Sequence, residues 1–178
     1  NVVIASETGS LGAGTSSPES RANIAPELTV LGDRTGEQIT RRVRVGEPLL
    51  IEARVDDDGL PKPRAASLTR PVIEGRERML TPPRQVTVGK TNGLFLSWNV
   101  YRGEGPVEFD PPQSKPWEDT RTSANSPWGP LWTPPPVPED GIYRTEVTFD
   151  EPGTYVLWGR ADDGGLYHDE YITVIVSE

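Results

Sequence analysis

The chain is 178 residues long, 34% of them apolar, with a formal charge of −9 and no cysteine. That length supports one substantial core or two small ones, and the missing cysteine removes disulfides, thiol nucleophiles and thiolate metal sites together. An acidic balance without any Lys/Arg-rich block speaks against nucleic acid, because nothing is present to replace the counterions condensed on a phosphate backbone.

From Asn1 to about Pro26 the chain reads NVVIASETGSLGAGTSSPESRANIAP. An apolar start is followed by small and turn-forming residues that offer little to bury, so residues 1–26 are expected to form an extended arm or linker. Val2, Val3 and Ile4 are its candidate partner contacts. The start lacks the positive charge of a signal peptide, so either none belongs to the protein or the sequence is that of a processed form. No run approaches the roughly 18–20 apolar residues that span a bilayer, and no transmembrane segment is expected.

Strand-like material begins near Glu27 with LTV and continues, after a polar interval, in RRVRVGEPLLIEARV. Leu49, Ile51, Ala53 and Val55 share one face at period two, the signature of a half-buried strand. A Pro-rich excursion at about 60–92 follows, where missing backbone donors disfavour helix and central strand. Order returns at Val86 and leads into GLFLSWNVYRGEGPVEFDPP, where Leu94, Leu96, Trp98 and Val100 oppose Phe95, Ser97, Asn99 and Tyr101. Bulky residues on both sides predict a strand whose outer face is also covered. A second excursion at about 112–141 carries Trp117, Trp128 and Trp132. The last segment, IYRTEVTFDEPGTYVLWGRADDGGLYHDEYITVIV, predicts three strands separated by DEPG and DDGG. Their core faces are Tyr143, Thr145, Val147 and Phe149; then Tyr155, Leu157, Gly159 and Ala161; then Ile172, Val174 and Val176. Short strands with Gly, Pro and Asp turns, and no competing helical period, predict an all-β sandwich.

The blocks NIAPELTVLGDRTGEQITRRVRVGEPLLIEARVDDDGLP, LFLSWNVYRGEGPVEFDPP and FDEPGTYVLWGRADDGGLYHDEYITVIV resemble those of a PKD/REJ-like or related bacterial immunoglobulin-like domain. The resemblance covers most of Asn23 to Val176, discontinuously, and implies an immunoglobulin-like β-sandwich over residues 27–178 with long irregular insertions. It implies that Pro152–Tyr155 open a late strand, that Asp162–Gly165 turn into the last one, and that Trp98 lies in the core. Such sandwiches serve as spacers, adhesive modules, sugar binders and subunits of assemblies, so the resemblance alone selects none of these.

Asp56, Asp57 and Asp58 sit in the same context as Asp162 and Asp163, after a strand and before Gly and Leu. Two readings stand for them: turn formers facing water, or ligands that bring Asp56, Asp58, Asp162, Asp163 and Asp169 (or Glu170) around calcium. His168 is the only histidine, which removes a His-rich zinc site, and no nucleophile motif accompanies it. GSLGAG lacks the Lys-Ser/Thr of a phosphate-binding loop. Catalysis therefore has little support. Trp117, Trp128 and Trp132 either staple their loop to the sheet or anchor a partner, and Trp158 suits either role. The expected function is a noncatalytic, extracytoplasmic (periplasmic or cell-surface) protein-binding accessory subunit of a larger assembly, a membrane-bound one included, or a bacterial cell-surface module. A carbohydrate-binding or adhesive module is the alternative, and a hydrolase ranks last. No cofactor is expected apart from the calcium candidate.

Overall fold

The computed structural model describes residues 18–32, 38–62, 76, 80, 93–113 and 134–178. After a short helix α1 (Pro18–Ala22), the alternating segments form β1 (Glu27–Val30), β2 (Ile39–Arg44), β3 (Leu49–Asp56), β4 (Phe95–Arg102), β5 (Val107–Asp110), β6 (Ile142–Phe149), β7 (Gly153–Asp162) and β8 (Tyr167–Ser177). They make two four-stranded sheets, ordered β1-β3-β6-β5 and β2-β8-β7-β4. The fold is all-β, two sheets packed face to face.

The run RRVRVGEPLLIEARV is split rather than continuous. Gly46 takes a φ of +74°, a conformation that costs a residue with a Cβ, and the chain changes sheets there. Val45 N–H donates to the Ser177 carbonyl of the second sheet, while Gly46 N–H donates to the Phe149 carbonyl of the first. β2 therefore runs parallel to β8, with Ile39 opposite Ile172 and Arg44 opposite Ser177, whereas β3 pairs antiparallel with β1 and β6.

The core lies between the sheets and takes the expected inward rows. Ile51, Ala53 and Val55 of β3, Val147 and Phe149 of β6, Leu157 and Ala161 of β7, and Ile172, Val174 and Val176 of β8 are all buried in one cluster. Trp98 is 1% exposed and lies over Gly159, where a Cβ would fall 2.5 Å from the indole Cζ3. Tyr155 packs on Phe149 with ring centroids 4.8 Å apart, and its hydroxyl donates to the Glu151 carbonyl at 2.9 Å. That bond ties the DEPG turn to the start of β7 and satisfies a hydroxyl that would be costly to bury unpaired.

β4 is an edge strand, and its expected two-sided burial is observed up to Asn99. Phe95, Ser97 and Asn99 are buried although they face away from the core. The edge is closed in part by Gln113, whose Oε1 accepts from Trp98 N–H at 2.8 Å while its Nε2 donates to the Pro111 carbonyl. Edge strands left open invite pairing with other chains, and a side-chain cap of this kind blocks one such position.

The described end of the N-terminal segment is tied to the sandwich. Glu19 Oε1 accepts from Lys62 N–H, Asp58 accepts from Ile24 N–H, and Pro26 is fully buried. Val2, Val3 and Ile4 lie outside the described residues.

Candidate functional site

Two regions gather chemistry, one at an end of the sandwich and one on an outer face. At the end, the β3 exit and the β7–β8 turn come together. Asp162 Oδ1 accepts from Gly164 N–H at 2.6 Å, Asp57 Oδ2 from Gly59 N–H at 2.8 Å, and Asp58 Oδ1 from Leu60 N–H at 2.8 Å. Each is a carboxylate bonding its own backbone two residues on, the reason Asp favours turns. Asp163 is only 1% exposed. Its Oδ1 accepts from Gly165 and Leu166 N–H, and its Oδ2 from Asn23 Nδ2 at 3.0 Å.

Burial holds the carboxyls of both Asp57 and Asp163 above the ordinary carboxylate range, against the lowering effect of these hydrogen bonds and with help from neighbouring aspartates. Tyr143 is pushed up to about 12 by burial and then by the charge of Asp57. Asn23 Oδ1, Asp57 Oδ1 and Tyr143 Oη are buried without a hydrogen-bond partner.

The sequence candidates for calcium thus divide. Asp58 and Asp163 are brought to this end with Asp57, and Asp162 begins its turn. Asp56 is exposed on β3, and Asp169 is engaged elsewhere, in a two-bond pair with Arg160 at 2.8 and 2.9 Å. Among the described residues, no group of three or more His, Asp or Glu side chains is placed to hold a metal ion. His168 Nδ1 accepts from Leu28 N–H at 3.0 Å, linking β8 to β1, a structural use of the lone histidine.

A charge held above its ordinary carboxyl pKa by burial weakens the fold at pH values above the raised folded pKa. The loss is removed as pH falls through that value toward the unfolded one, because the native state then binds more protons than the unfolded chain. Asp57→Asn is therefore expected to melt higher than wild type at neutral pH, since an amide oxygen still accepts from Gly59. The difference should shrink as the solution is acidified into the window between the ordinary and raised values. Thermal melts across that range check this, with and without calcium. A variant that melts lower only when calcium is present would assign Asp57 to a metal site instead.

The outer faces of the two sheets differ in kind. On the first sheet the outward residues of β3 and β6 are mainly charged. Arg144 bridges Glu52 at 3.1 Å and Asp140 at 2.8 Å, exposed pairs of the sort that contribute little. Leu50 is the large apolar residue exposed on those strands. On the second sheet the outward rows set aromatic residues among charged and small polar ones. Asn99 of β4, Trp158 of β7 and Tyr171 of β8 face one another across the strands, as do Ser97, Arg160 and Asp169 in the next row. The Arg160 guanidinium, oriented by Asp169, lies 3.8 Å from the Tyr167 ring centroid and 4.7 Å from that of Trp158, a stacked cation–π arrangement.

Beyond Trp158 this face opens to solvent. Tyr101 and Tyr171 are 55% and 45% exposed and meet edge to face at 5.6 Å. Ile175, 37% exposed, is two outward positions further along β8. The β4–β7 register shifts between Val100 and Arg102, so that Arg102 comes to stand opposite the outward Val156, the kind of re-aiming that bulges produce. Of the sequence candidates for partner contact, Trp158 lies at the border between the covered and open parts of this face, while Trp117, Trp128 and Trp132 lie outside the described residues. Sequence reasoning passed over Tyr101, Tyr167, Tyr171 and Arg160. The signal was present in β8, where Tyr167, Asp169, Tyr171 and Ile175 fall on the face opposite Ile172 and Val174.

The arrangement defines a two-sheet sandwich with one charged and one aromatic outer face. No family model matches the chain, and no curated protein matches it. Among solved structures, it is similar to a nucleoside hydrolase-related hypothetical protein from Saccharophagus degradans that is associated with carbohydrate metabolism. The identity is 13%, the TM-score is 0.42, and the match covers 89% of this chain and 27% of that one. A likeness of that size transfers no function.

Proposed function

We propose that this protein is a noncatalytic, extracytoplasmic binding module with an immunoglobulin-like sandwich, which docks another protein as an accessory subunit or surface module. Support for the finer fold comes from the strand order β1-β3-β6-β5 against β2-β8-β7-β4 and from the Tyr155 hydroxyl bonding back to Glu151 at the turn before β7, both features of that sandwich type. The observation that carries the binding role is the exposed Tyr101–Tyr171 pair beside Ile175 on one outer face. Large apolar groups clustered on a single face mark interaction surfaces, whereas singly scattered ones do not, and Tyr supplies contact area together with a hydroxyl. Among the described residues no helix is long and apolar enough to cross a membrane.

The test is the double replacement Tyr101→Ser with Tyr171→Ser. Both side chains are largely exposed, so melting should stay near wild type, while affinity for the protein that co-purifies stoichiometrically from the native source should fall about tenfold or more, as for interface anchors. Wild-type affinity in the folded double variant would refute this surface. A glycan array bound by the wild type and lost by the variant would give the surface to the carbohydrate reading.

A further inference from the structure

The open half of that aromatic face has a charge sign opposite to the chain's. The chain carries −9, yet the strand residues facing outward around Tyr101 and Tyr171 include three arginines and no carboxylate. Arg42 and Arg44 of β2 stand beside Ile175 and Ser177 of β8. Arg102 of β4 stands opposite Val156, with its guanidinium 5.4 Å from the Tyr101 centroid. All three are exposed, and Arg42 and Arg44 make no ion pair among the described residues. The two aspartates of this face, Asp162 and Asp169, belong to its other half, and Asp169 is already neutralised by Arg160.

Resting on the docking reading above, we propose that the partner presents an acidic segment carrying apolar side chains, which lies across β8 with its carboxylates on Arg42, Arg44 and Arg102 and its apolar groups on Tyr101, Tyr171 and Ile175. Arginine forks match carboxylates in geometry. A local positive patch steers an acidic partner toward this half of the face and favours fast encounter. The apolar centre distinguishes this surface from a purely electrostatic one: three arginines spread around two tyrosines and an isoleucine suit a mixed acidic and apolar peptide better than a uniform polyanion.

The probe is a short synthetic peptide alternating Glu with Phe and Ser, compared with counterparts carrying Gln or Lys in place of Glu, and titrated into the folded chain under backbone NMR. The Glu peptide should shift resonances of Tyr101, Tyr171 and β2. Its binding should weaken about tenfold or more as salt rises from about 0.01 M to about 0.15 M, where the screening length shortens from about 30 Å to about 8 Å. Arg42→Gln with Arg44→Gln should remove the binding and keep the wild-type melt; Arg42→Glu with Arg44→Glu should do so more strongly. Equal binding of the Gln or Lys peptide, or shifts confined to other faces, would overturn the proposal. So would tighter binding of anionic vesicles or a sulfated polysaccharide with the same dependence on these arginines. If the native complex is lost on changing Tyr101 and Tyr171 yet is indifferent to salt and to the arginine variants, the docking surface stands and the acidic partner falls. If it is indifferent to all four residues, both fall.

Discussion

Trp98→Ala is expected to lower the unfolding free energy by about 3–5 kcal/mol, the range for removing a fully buried large aromatic side chain. The ring is 1% exposed, and it occupies the space between β4 and β7 that the absent side chain of Gly159 leaves open. Its removal deletes apolar burial and opens a cavity between the packed sheets, whose lining can collapse only in part. Against a typical total of about 5–15 kcal/mol, the change should shift a urea midpoint strongly at an unchanged slope. A loss below about 1 kcal/mol would mean that the indole contributes little to the core.

Gly159→Ala should destabilise from the opposite direction. The new Cβ would meet the indole at 2.5, 2.7 and 2.8 Å, closer than carbon atoms approach, so the ring or the strand must move. Overpacking of this kind costs about 1–3 kcal/mol, and more where relaxation is blocked. The two effects share one volume and should not add. In a Trp98→Leu background, Gly159→Ala should cost much less than in wild type, giving a coupling well above the roughly 0.3–0.5 kcal/mol found between independent sites. Additive melts would place the glycine and the indole in separate environments.

The inward rows were legible because period two and a one-sided core leave little choice. Tyr155, Leu157, Gly159 and Ala161, and then Ile172, Val174 and Val176, appear in the structure as the pattern requires. The division of RRVRVGEPLLIEARV between two sheets was less visible, because alternation records which residues are buried but not which sheet buries them; only Gly46 and the proline after it hint at the change. The aspartates could be recognised as turn formers from their own short-range chemistry. Which of them meet at one end depends on contacts such as Asn23 with Asp163, 140 residues apart, and no local pattern encodes that. The outward aromatic row was overlooked for a related reason: the clustering of Tyr171 and Ile175 with Tyr101 depends on a strand delivered from some seventy residues earlier in the chain.

The parallel pairing of β2 with β8 also sets how the protein carries load. The chain enters β2 at Ile39 and leaves β8 at Ser177, at opposite ends of six paired residues. Tension drawn through these two points acts along the strands and distributes itself over the whole ladder, so its hydrogen bonds must give way together. An antiparallel hairpin pulled from its open end would instead unzip one bond at a time. Tension applied at Ile39 and Ser177 would thus load the β2–β8 ladder in shear, along the length of its six paired residues.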